Sequence, residues 1–389
     1  MQTAAERVKM FESGIFQVLN EKKNEVEKKG GKVYNLSVGT PDFKPAEHII
    51  KAVCEAAAKP ENYKYALADL PELIAAVQSR FKVRYGVDID KDEVMSVYGS
   101  QEGVAHIGLA LFNPGDLVLV PDPGYPVFSI GPLLAGADVQ TYDLLPEKDY
   151  LPDFEAIEKK YGDKIKAMVV SYPLNPICKC APRSFYEELV VWAIKKNILI
   201  IHDNAYSDII YDGREGISIL SIPRAKECAV EFYSLSKSFN YTGARASFLA
   251  GNKEVIKNFK KLRSQIDYGT FLPVQYGAIA ALTGPDDCVK EQCKVYEERR
   301  NALCDGLSAI GWNVPRSEGT MFAWAKIPSG FSDDTAFVME LLEKTGVLCT
   351  PGSSFGEKGK GYVRFALTLP CEVIKEAVAA IEKSGILKK

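Results

Sequence analysis

Short apolar segments recur along the chain, and stretches with helical spacing of apolar residues separate them. One long helix is expected near residues 274–306. Alternation of buried strands with helices is typical of an α/β fold, because parallel strands need a crossover helix between them. The sequence therefore predicts α/β architecture with a mostly parallel sheet, whose strands would include residues 117–120, 167–171, 198–202, 229–233 and 247–251.

A second, smaller unit is predicted from the two ends of the chain. Residues 319–324 and 363–367 are predicted to be antiparallel strands of this unit. We expect residues 46–290 to form the large domain, and residues 1–45 with 291–389 to form the small one. A chain of 389 residues with 47% hydrophobic content is long enough for two cores.

Segment 198–206 ends one of the predicted strands with polar groups. Its apolar run leads into Asp203, and Tyr206 follows three residues later. Open α/β sheets bind ligands at the carboxyl ends of their strands. A carboxylate there can pair with a protonated ring nitrogen, and a tyrosine hydroxyl can donate to a phenolic oxygen. Taken alone, Asp203 is equally well explained as a helix N-cap and Tyr206 as a packed tyrosine.

Residues 234–245 gather polar groups around one lysine. Serines precede and follow Lys237, and Arg245 comes eight residues after it. A lysine amine can form a Schiff base with an aldehyde cofactor, while hydroxyls and a guanidinium can bind a phosphate dianion. The plainer alternative is a polar loop with a solvated lysine. Together with Asp203 and Tyr206, the pattern favours a phosphorylated aldehyde cofactor that contains a pyridine ring.

Six further motifs occur in the order in which one enzyme family has them. With the lysine motif, they make the chain similar over nearly its whole length to the fold-type I, pyridoxal-phosphate-dependent aminotransferases of class I/II. Within that family, the LL-diaminopimelate, aspartate and alanine aminotransferase group is the most similar. The resemblance implies a mostly parallel seven-stranded sheet flanked by helices, plus a smaller α+β domain. The motifs cover residues 34–43, 99–103, 121–126, 172–176, 351–356 and 362–365.

The resemblance also implies roles around pyridoxal 5'-phosphate. Lys237 would hold the cofactor as a Schiff base and then act as the general base. Asp203 would keep the ring nitrogen protonated, and Tyr206 with Asn175 would donate to the phenolic oxygen. Tyr125 would stack on the ring. The phosphate would be bound by Ser100, Gln101, Ser234, Ser236 and Arg245.

Substrate and partner contacts are implied in the same way. Arg364 would bind the substrate α-carboxylate through its planar guanidinium, near Gly39 and Asn175. Tyr65 is the candidate for a tyrosine that reaches the phosphate of the neighbouring subunit, so a homodimer with active sites at the subunit interface is expected. The implied reaction is ping-pong transamination between a 2-oxo acid and an amino acid of LL-diaminopimelate, aspartate, alanine or glutamate type.

Two other functions remain open from the sequence. A lyase of the same fold, cleaving a carbon–sulfur or carbon–carbon bond, would use the same lysine and aspartate. A cofactor-binding regulatory module is the second alternative. Such modules normally carry an added DNA-binding segment, and this chain has no basic segment of that kind. We therefore expect an aminotransferase.

Departures from the family pattern bear on the site. Residues 175–178 are Asn-Pro-Ile-Cys where the family usually has Asn-Pro-Thr-Gly, so the loop is expected to run differently without its glycine. Segment 69–73, after Tyr65, is one residue short. The partner of a substrate's distal carboxylate is not identified by any motif, and the candidates are Lys179, Arg183 and Arg263.

Composition excludes several classes of protein. A net charge of −3 implies no nucleic-acid or membrane-surface partner. No apolar stretch approaches the roughly 18 residues of a membrane span, and the first residues lack a signal-peptide core. Nine cysteines are scattered, with only Cys178 and Cys180 close together, so no metal site is expected. Reduced thiols in a cytoplasmic protein are the expectation.

Overall fold

The computed structural model describes residues 3–10 and 15–388. The predicted small-domain range 1–45 includes residues 1, 2 and 11–14, which lie outside the described residues. The strands are β1 (Tyr34–Asn35), β2 (Val94–Val97), β3 (Leu117–Asp122), β4 (Asp138–Asp143), β5 (Ile165–Val170), β6 (Leu199–Asp203), β7 (Ala229–Ser234), β8 (Ser247–Gly251), β9 (Phe322–Lys326), β10 (Val347–Leu348), β11 (Thr350–Pro351) and β12 (Tyr362–Ala366). The helices are α1 (Ile15–Lys28), α2 (Glu47–Ala57), α3 (Pro71–Tyr85), α4 (Ser100–Leu111), α5 (Val127–Leu134), α6 (Phe154–Tyr161), α7 (Arg183–Lys196), α8 (Leu235–Ser238), α9 (Lys253–Arg263), α10 (Leu272–Thr283), α11 (Asp287–Ala309), α12 (Asp334–Thr345) and α13 (Cys371–Ser384).

Seven of these strands form one sheet, in the order β2-β8-β7-β6-β5-β3-β4. The pairings that join β4, β3, β5, β6 and β7 are all parallel, and β8 runs antiparallel to both of its neighbours. The mostly parallel seven-stranded sheet is therefore confirmed. Two of the seven strands, β2 and β4, are absent from the predicted set, because β2 has only four residues and β4 contains only two apolar ones.

The central strands carry polar groups to one edge of the sheet. Every residue of β7 and β8 is buried, as befits strands in the middle of a covered sheet. The parallel neighbours β6 and β7 end at Asp203 and Ser234. Since carboxyl ends of parallel strands meet at the same edge, these two side chains lie close to each other. Lys237 follows at once, on α8.

Two smaller sheets lie outside the large one. The first is antiparallel, with the order β11-β12-β9, and it contains the two strands predicted near residues 319–324 and 363–367. In its register, Arg364 on β12 stands opposite Trp324 on β9. The second sheet pairs β1 with β10 in parallel, so a segment near the start of the chain meets one near its end. Both sheets are in line with the predicted small domain, whose boundaries stay a prediction.

The long helix predicted near residues 274–306 is wrong, because the structure divides this stretch into α10 and α11. Gly284 ends α10 in an extended conformation, and Pro285 follows it. A residue before proline is pushed out of the helical region by the proline ring, and proline itself has no N–H to continue the helix. Asp286 then precedes the 23-residue α11.

Two kinds of feature are absent from the described part of the chain. None of its helices is long and apolar enough to cross a membrane. It also holds no group of three or more histidine, cysteine, aspartate or glutamate side chains placed to bind a metal ion. All nine cysteines are free thiols.

Candidate active site

One cavity of about 320 Å³ opens at the carboxyl ends of β5, β6 and β7. A volume of this size is within the range of small-molecule sites. Of the residues predicted for the site, all except Tyr65 line this cavity. They are Gly39, Ser100, Gln101, Tyr125, Asn175, Asp203, Tyr206, Ser234, Ser236, Lys237, Arg245 and Arg364.

Lys237 projects its amine into the cavity from α8. Burial, together with the nearby charges of Arg364 and Arg245, lowers the pKa of Lys237 to about 8. Its Nζ donates a hydrogen bond to the carbonyl oxygen of Gly39 at 3.0 Å. A larger fraction of this amine is therefore uncharged near neutral pH than of a solvated lysine. The uncharged amine is the form that attacks an aldehyde.

Asp203 presents a buried carboxylate oxygen to the cavity. Its Oδ1 is buried and accepts no hydrogen bond from the described residues. Burial raises the pKa of Asp203 to about 6; His202 opposes that rise, and Glu231 adds to it. A buried acceptor left open in this way fits a protonated ring nitrogen, since a cation would restore the interaction that the carboxylate lost on burial.

The end of the cavity near α4 is built for an anion. Gly99, before α4, has a φ of 85°, and a Cβ on it would lie 2.1 Å from Nη2 of Arg245. The Oγ of Ser100 is buried with no partner in the described chain. This end of the cavity therefore has three donors: the guanidinium of Arg245, the hydroxyl of Ser100 and the N-terminus of the 12-residue helix α4. This donor set fits a phosphate group.

Ser234 and Ser236 are held in place by hydrogen bonds with neighbouring residues. The Oγ of Ser234 accepts from the N–H of Ser236 at 3.2 Å and from the hydroxyl of Ser247 at 3.0 Å. The hydroxyl of Thr242 donates to the carbonyl oxygen of Ser236 at 2.8 Å. These bonds fix the turn that carries Lys237. Thr242 also lines the cavity, and its place inside the lysine motif is the signal that would have identified it.

Aromatic side chains form the walls between the two ends. The hydroxyl of Tyr125 donates to Oε1 of Gln101 at 3.2 Å, which fixes the tilt of the tyrosine ring. Burial raises the pKa of Tyr206 far above its usual value, so its hydroxyl keeps its proton and remains a donor. The rings of Tyr206 and Phe322 pack edge to face, with 6.0 Å between their centroids and 70° between their planes. A flat ring therefore has an aromatic face and a phenolic donor available in this cavity.

Arg364 and Asn175 form a fixed pair at the cavity wall. Nη1 of Arg364 donates to Oδ1 of Asn175 at 2.8 Å, and its Nη2 donates to the carbonyl oxygen of Ser37 at 3.0 Å. Because a guanidinium only donates, Oδ1 of Asn175 must point at it, and the amide NH₂ is turned elsewhere. Burial lowers the pKa of Arg364 to about 10.

Phe322 is a cavity residue that the sequence analysis missed. Its ring lies 4.1 Å below the guanidinium carbon of Arg364, which is a cation–π distance. A Cβ on Gly39 would lie only 2.3 Å from this ring, so Gly39 leaves the space that Phe322 fills. The strand pattern around residue 322 gives no sign of this contact with a glycine far away in the sequence.

Tyr65 does not line this cavity. Its side chain is largely solvent-exposed, and its ring stacks at a tilt against Tyr268 with 5.0 Å between centroids. Tyr63 and Leu67 nearby are exposed as well. Reach to a phosphate from this position requires a second subunit, so the role of Tyr65 stays a prediction.

The loop that lacks its glycine still delivers Asn175 to the cavity. Cys178 takes the left-handed conformation, with φ 67°, at the position where the family has glycine. Its buried Sγ donates to the carbonyl oxygen of Pro176 at 3.1 Å, and its own carbonyl oxygen accepts from the N–H of Glu318 at 3.0 Å. A cysteine thus adopts the conformation that glycine usually provides, at a cost in backbone strain.

The three cationic candidates for a distal carboxylate do not line the cavity. Lys179 pairs with Asp149 and Glu318, each at 2.7 Å. Arg183 pairs with Glu187 on an exposed face of α7. Arg263 is buried between its acidic partners Glu102 and Asp267. Their side chains already have carboxylate partners elsewhere.

Comparison with known proteins identifies the family. The model of the family "Aminotransferase class I and II" matches residues 31–381. The LL-diaminopimelate aminotransferases of Halothermothrix orenii and Aquifex aeolicus are each 40% identical to this chain, over 98% and 97% of it and 98% of each relative. Substrate-bound BacF from Bacillus subtilis superimposes with a TM-score of 0.94 at 34% identity, over 98% of both chains. An aspartate aminotransferase mutant from Thermus thermophilus superimposes with a TM-score of 0.93 at 27% identity, over 99% of this chain and all of that one.

These matches span the same residues that build the cavity, and the relatives and neighbours just described include aminotransferases for two different amino acids. The open carboxylate of Asp203, the phosphate-shaped end at Ser100 and the buried amine of Lys237 fit pyridoxal phosphate. The chain therefore belongs to the class I and II aminotransferases, as a pyridoxal-phosphate-dependent transaminase that moves an amino group between an amino acid and a 2-oxo acid.

Proposed function

We propose that LL-diaminopimelate is the preferred amino donor of this transaminase. The observation that carries the proposal is the charge of the cavity wall: among the described residues that line it, the cationic side chains are Lys237, Arg245 and Arg364 alone. Lys237 and Arg245 suit the cofactor, and Arg364 suits one α-carboxylate. The described part of this chain places no further cation at the cavity wall for a distal carboxylate such as that of aspartate or glutamate.

A distal group without net charge fits this wall better. The far end of LL-diaminopimelate carries both an ammonium and a carboxylate, so it needs hydrogen bonds and not one opposing charge. Val38, at the cavity wall, is 47% exposed and leaves that side accessible to a long substrate. The relatives named LL-diaminopimelate aminotransferase cover nearly the whole chain and support the same substrate.

Lys237 is proposed to hold the cofactor and to move the substrate proton. Bound pyridoxal phosphate withdraws electrons from the α-carbon of the amino acid and so acidifies its proton. With its pKa lowered to about 8, Nζ of Lys237 would accept that proton and would later donate it again. The carbonyl oxygen of Gly39, 3.0 Å from Nζ, accepts a hydrogen bond from the amine between these steps.

Asp203, Tyr206 and Asn175 are proposed to set the electronic state of the ring. A carboxylate beside the ring nitrogen stabilises its protonated form, and that cation in turn favours the ionised form of Asp203. The hydroxyl of Tyr206 and the NH₂ of Asn175 supply donors for the phenolic oxygen. Tyr125 is proposed to stack on the ring and fix its plane.

Arg364 is proposed to bind the α-carboxylate of the substrate. Its guanidinium is held by Asn175 and Ser37 on one side and by the ring of Phe322 on its face. Fixed in this way, it loses little conformational entropy when it pairs with a carboxylate. Gly39 lies beside this position and keeps the wall free of a side chain.

We also propose a homodimer, a cytoplasmic location and two domains. The exposed aromatic Tyr65 supports a subunit interface next to the phosphate end. The pairing of β1 with β10 supports a small domain of residues 1–45 and 291–389, beside a large domain of 46–290. The lyase left open by the sequence has no support among the relatives named above, all of which are aminotransferases or share their fold.

The substrate proposal is tested with the purified protein loaded with pyridoxal phosphate. Single amino acids are added, and loss of the visible absorbance of the loaded enzyme is followed. We expect kcat/KM for LL-diaminopimelate to exceed that for L-aspartate, L-glutamate and L-alanine by at least about tenfold. Arg364→Lys should lower kcat/KM for all four donors alike, because all share the α-carboxylate. Preference for L-aspartate or L-glutamate would overturn the proposal.

A further inference from the structure

Gln292 on α11 is bonded to the short helix that carries Lys237. The last carbonyl groups of a helix have no partner within it, and α8 has only four residues. Nε2 of Gln292 donates to the carbonyl oxygens of Lys237 at 2.7 Å and of Ser238 at 2.9 Å. Its Oε1 accepts from Nδ2 of Asn240 at 2.7 Å. Gln292 is 3% exposed, and both ends of its amide are hydrogen-bonded to the segment that carries Lys237.

The same helix holds the segment that the lysine amine touches. Nζ of Lys237 donates to Gly39, and three residues later Asp42 accepts two hydrogen bonds of 2.7 Å from Arg299. Gln292 and Arg299 are seven residues apart on α11, which places them on one side of the helix and about 10 Å apart along its axis. One rigid helix thus sets the backbone of Lys237 and the position of its acceptor.

We propose that Gln292 is a positioning residue for Lys237. Without its two donors, two buried carbonyl oxygens lose their hydrogen bonds, and the turn can lower that cost only by moving. Any shift of the turn moves Nζ relative to Gly39 and to the reacting carbon, and proton transfer depends steeply on such distances. The inference rests on the proposed role of Lys237.

Gln292→Glu and Gln292→Met form a matched pair of variants. Both keep the length of the side chain, and neither has an amide donor. An ionised glutamate would face the two carbonyl oxygens with a negative charge, whereas a protonated one has an O–H to donate. Burial raises the pKa of a carboxyl group, so the glutamate variant should recover as the pH falls. The methionine variant has no donor at any pH and should not.

The first measurement is hydrogen exchange of residues 235–242 in the cofactor-free protein. At pH 8 we expect both variants to exchange about tenfold faster there than wild type, and to take up pyridoxal phosphate about tenfold more slowly. At pH 5.5 the exchange and uptake rates of Gln292→Glu should come within about twofold of the wild-type rates at the same pH. Leu307→Ala, buried on the same helix about 22 Å further along, is the control for general loss of stability.

Several results would overturn the inference. Wild-type exchange and uptake in both variants would mean that the bonds of Gln292 do not hold the turn. Equal defects at every pH, or the same local exchange in Leu307→Ala, would mean that the effect is one of packing. A failure of the proposed function looks different: borohydride reduction of the loaded wild-type enzyme would then fix the cofactor to a residue other than Lys237.

Discussion

The guanidinium of Arg245 rests directly on the backbone of Gly99. A Cβ on Gly99 would lie 2.1 Å from Nη2 and 2.6 Å from Cζ of Arg245. Gly99 also has a φ of 85°, a conformation that L side chains rarely adopt. The contact brings a charged donor to the N-terminus of α4, next to the open hydroxyl of Ser100. We propose this point as the position of the cofactor phosphate.

Gly99→Ala should therefore weaken binding of pyridoxal phosphate and leave binding of pyridoxal nearly unchanged. The added methyl group displaces Arg245, and a dianion loses a charge-assisted contact that a ligand without phosphate never makes. We expect a loss of about 100-fold for the phosphorylated ligand. Fluorescence titration of the cofactor-free protein with both ligands measures the difference.

The chain offers a matched control for backbone strain. Gly115 has a φ of 86°, close to that of Gly99, and open space around its Cα. Gly115→Ala should lower stability to a similar extent and leave both affinities as in wild type. An equal loss of pyridoxal and pyridoxal phosphate in Gly99→Ala would contradict the assignment of this end of the cavity to the phosphate.

Lys237 should make the cofactor-free protein less stable than a variant without the charge. Burial and the neighbouring Arg364 and Arg245 lower its pKa from 10.5 to about 8. Below pH 8 the amine is charged in both folded and unfolded chains, so the folded state bears the full free-energy cost of a buried charge. Above pH 10.5 it is neutral in both, and the penalty vanishes. Lys237→Met should therefore be more stable at pH 7 by roughly 3 kcal/mol.

Urea unfolding of the cofactor-free proteins at several pH values measures this difference. The advantage of Lys237→Met should shrink as the pH rises from 8 to 10.5. The uptake rate of pyridoxal phosphate by wild type should rise with a midpoint near pH 8, because only the neutral amine attacks the aldehyde. A midpoint above pH 10 would show that the amine is solvated.

Much of the fold and site is predictable because its signals are local. Asp203 and Lys237 each follow an apolar strand within one short motif. The rule that parallel strands end at one edge then brings these two residues together without knowledge of long-range contacts. The order of strands across the sheet needs the family resemblance, since sequence alone does not say which strands are neighbours.

The rest of the site depends on contacts between distant parts of the chain. Gln292 lies 55 residues after Lys237 and looks like any polar residue of an amphipathic helix. Phe322 meets Gly39 across most of the sequence. Neither contact leaves a periodic or compositional trace. The break between α10 and α11 does have a local signal, since Pro285 cannot continue a helix.

The strained backbone of Cys178 should reverse the usual order of stability between alanine and glycine variants. Glycine normally costs about 1 kcal/mol relative to alanine, because the unfolded chain is freer. With φ 67° at residue 178, alanine keeps the strain and glycine relieves it. Cys178→Gly should therefore be more stable than Cys178→Ala by roughly 1 kcal/mol. Cys304 is equally buried but lies on the regular helix α11. At this site the alanine variant should be more stable than the glycine variant. Urea midpoints of the four variants decide it, and the same order at both sites would contradict the strain.

Tyr65 tests the proposed homodimer through mixing of inactive variants. If Tyr65 serves the active site of the neighbouring subunit, a mixed dimer of Tyr65→Ala and Lys237→Ala has one site that lacks both side chains and one that has both. Equal mixing by refolding should then restore about a quarter of the wild-type sites, since half of the dimers are mixed and each has one intact site. If Tyr65 served its own subunit, every site would lack one side chain and no activity would return. Tyr63→Ala, in the neighbouring exposed position, should be active alone, which separates loss of the specific contact from general damage to this surface.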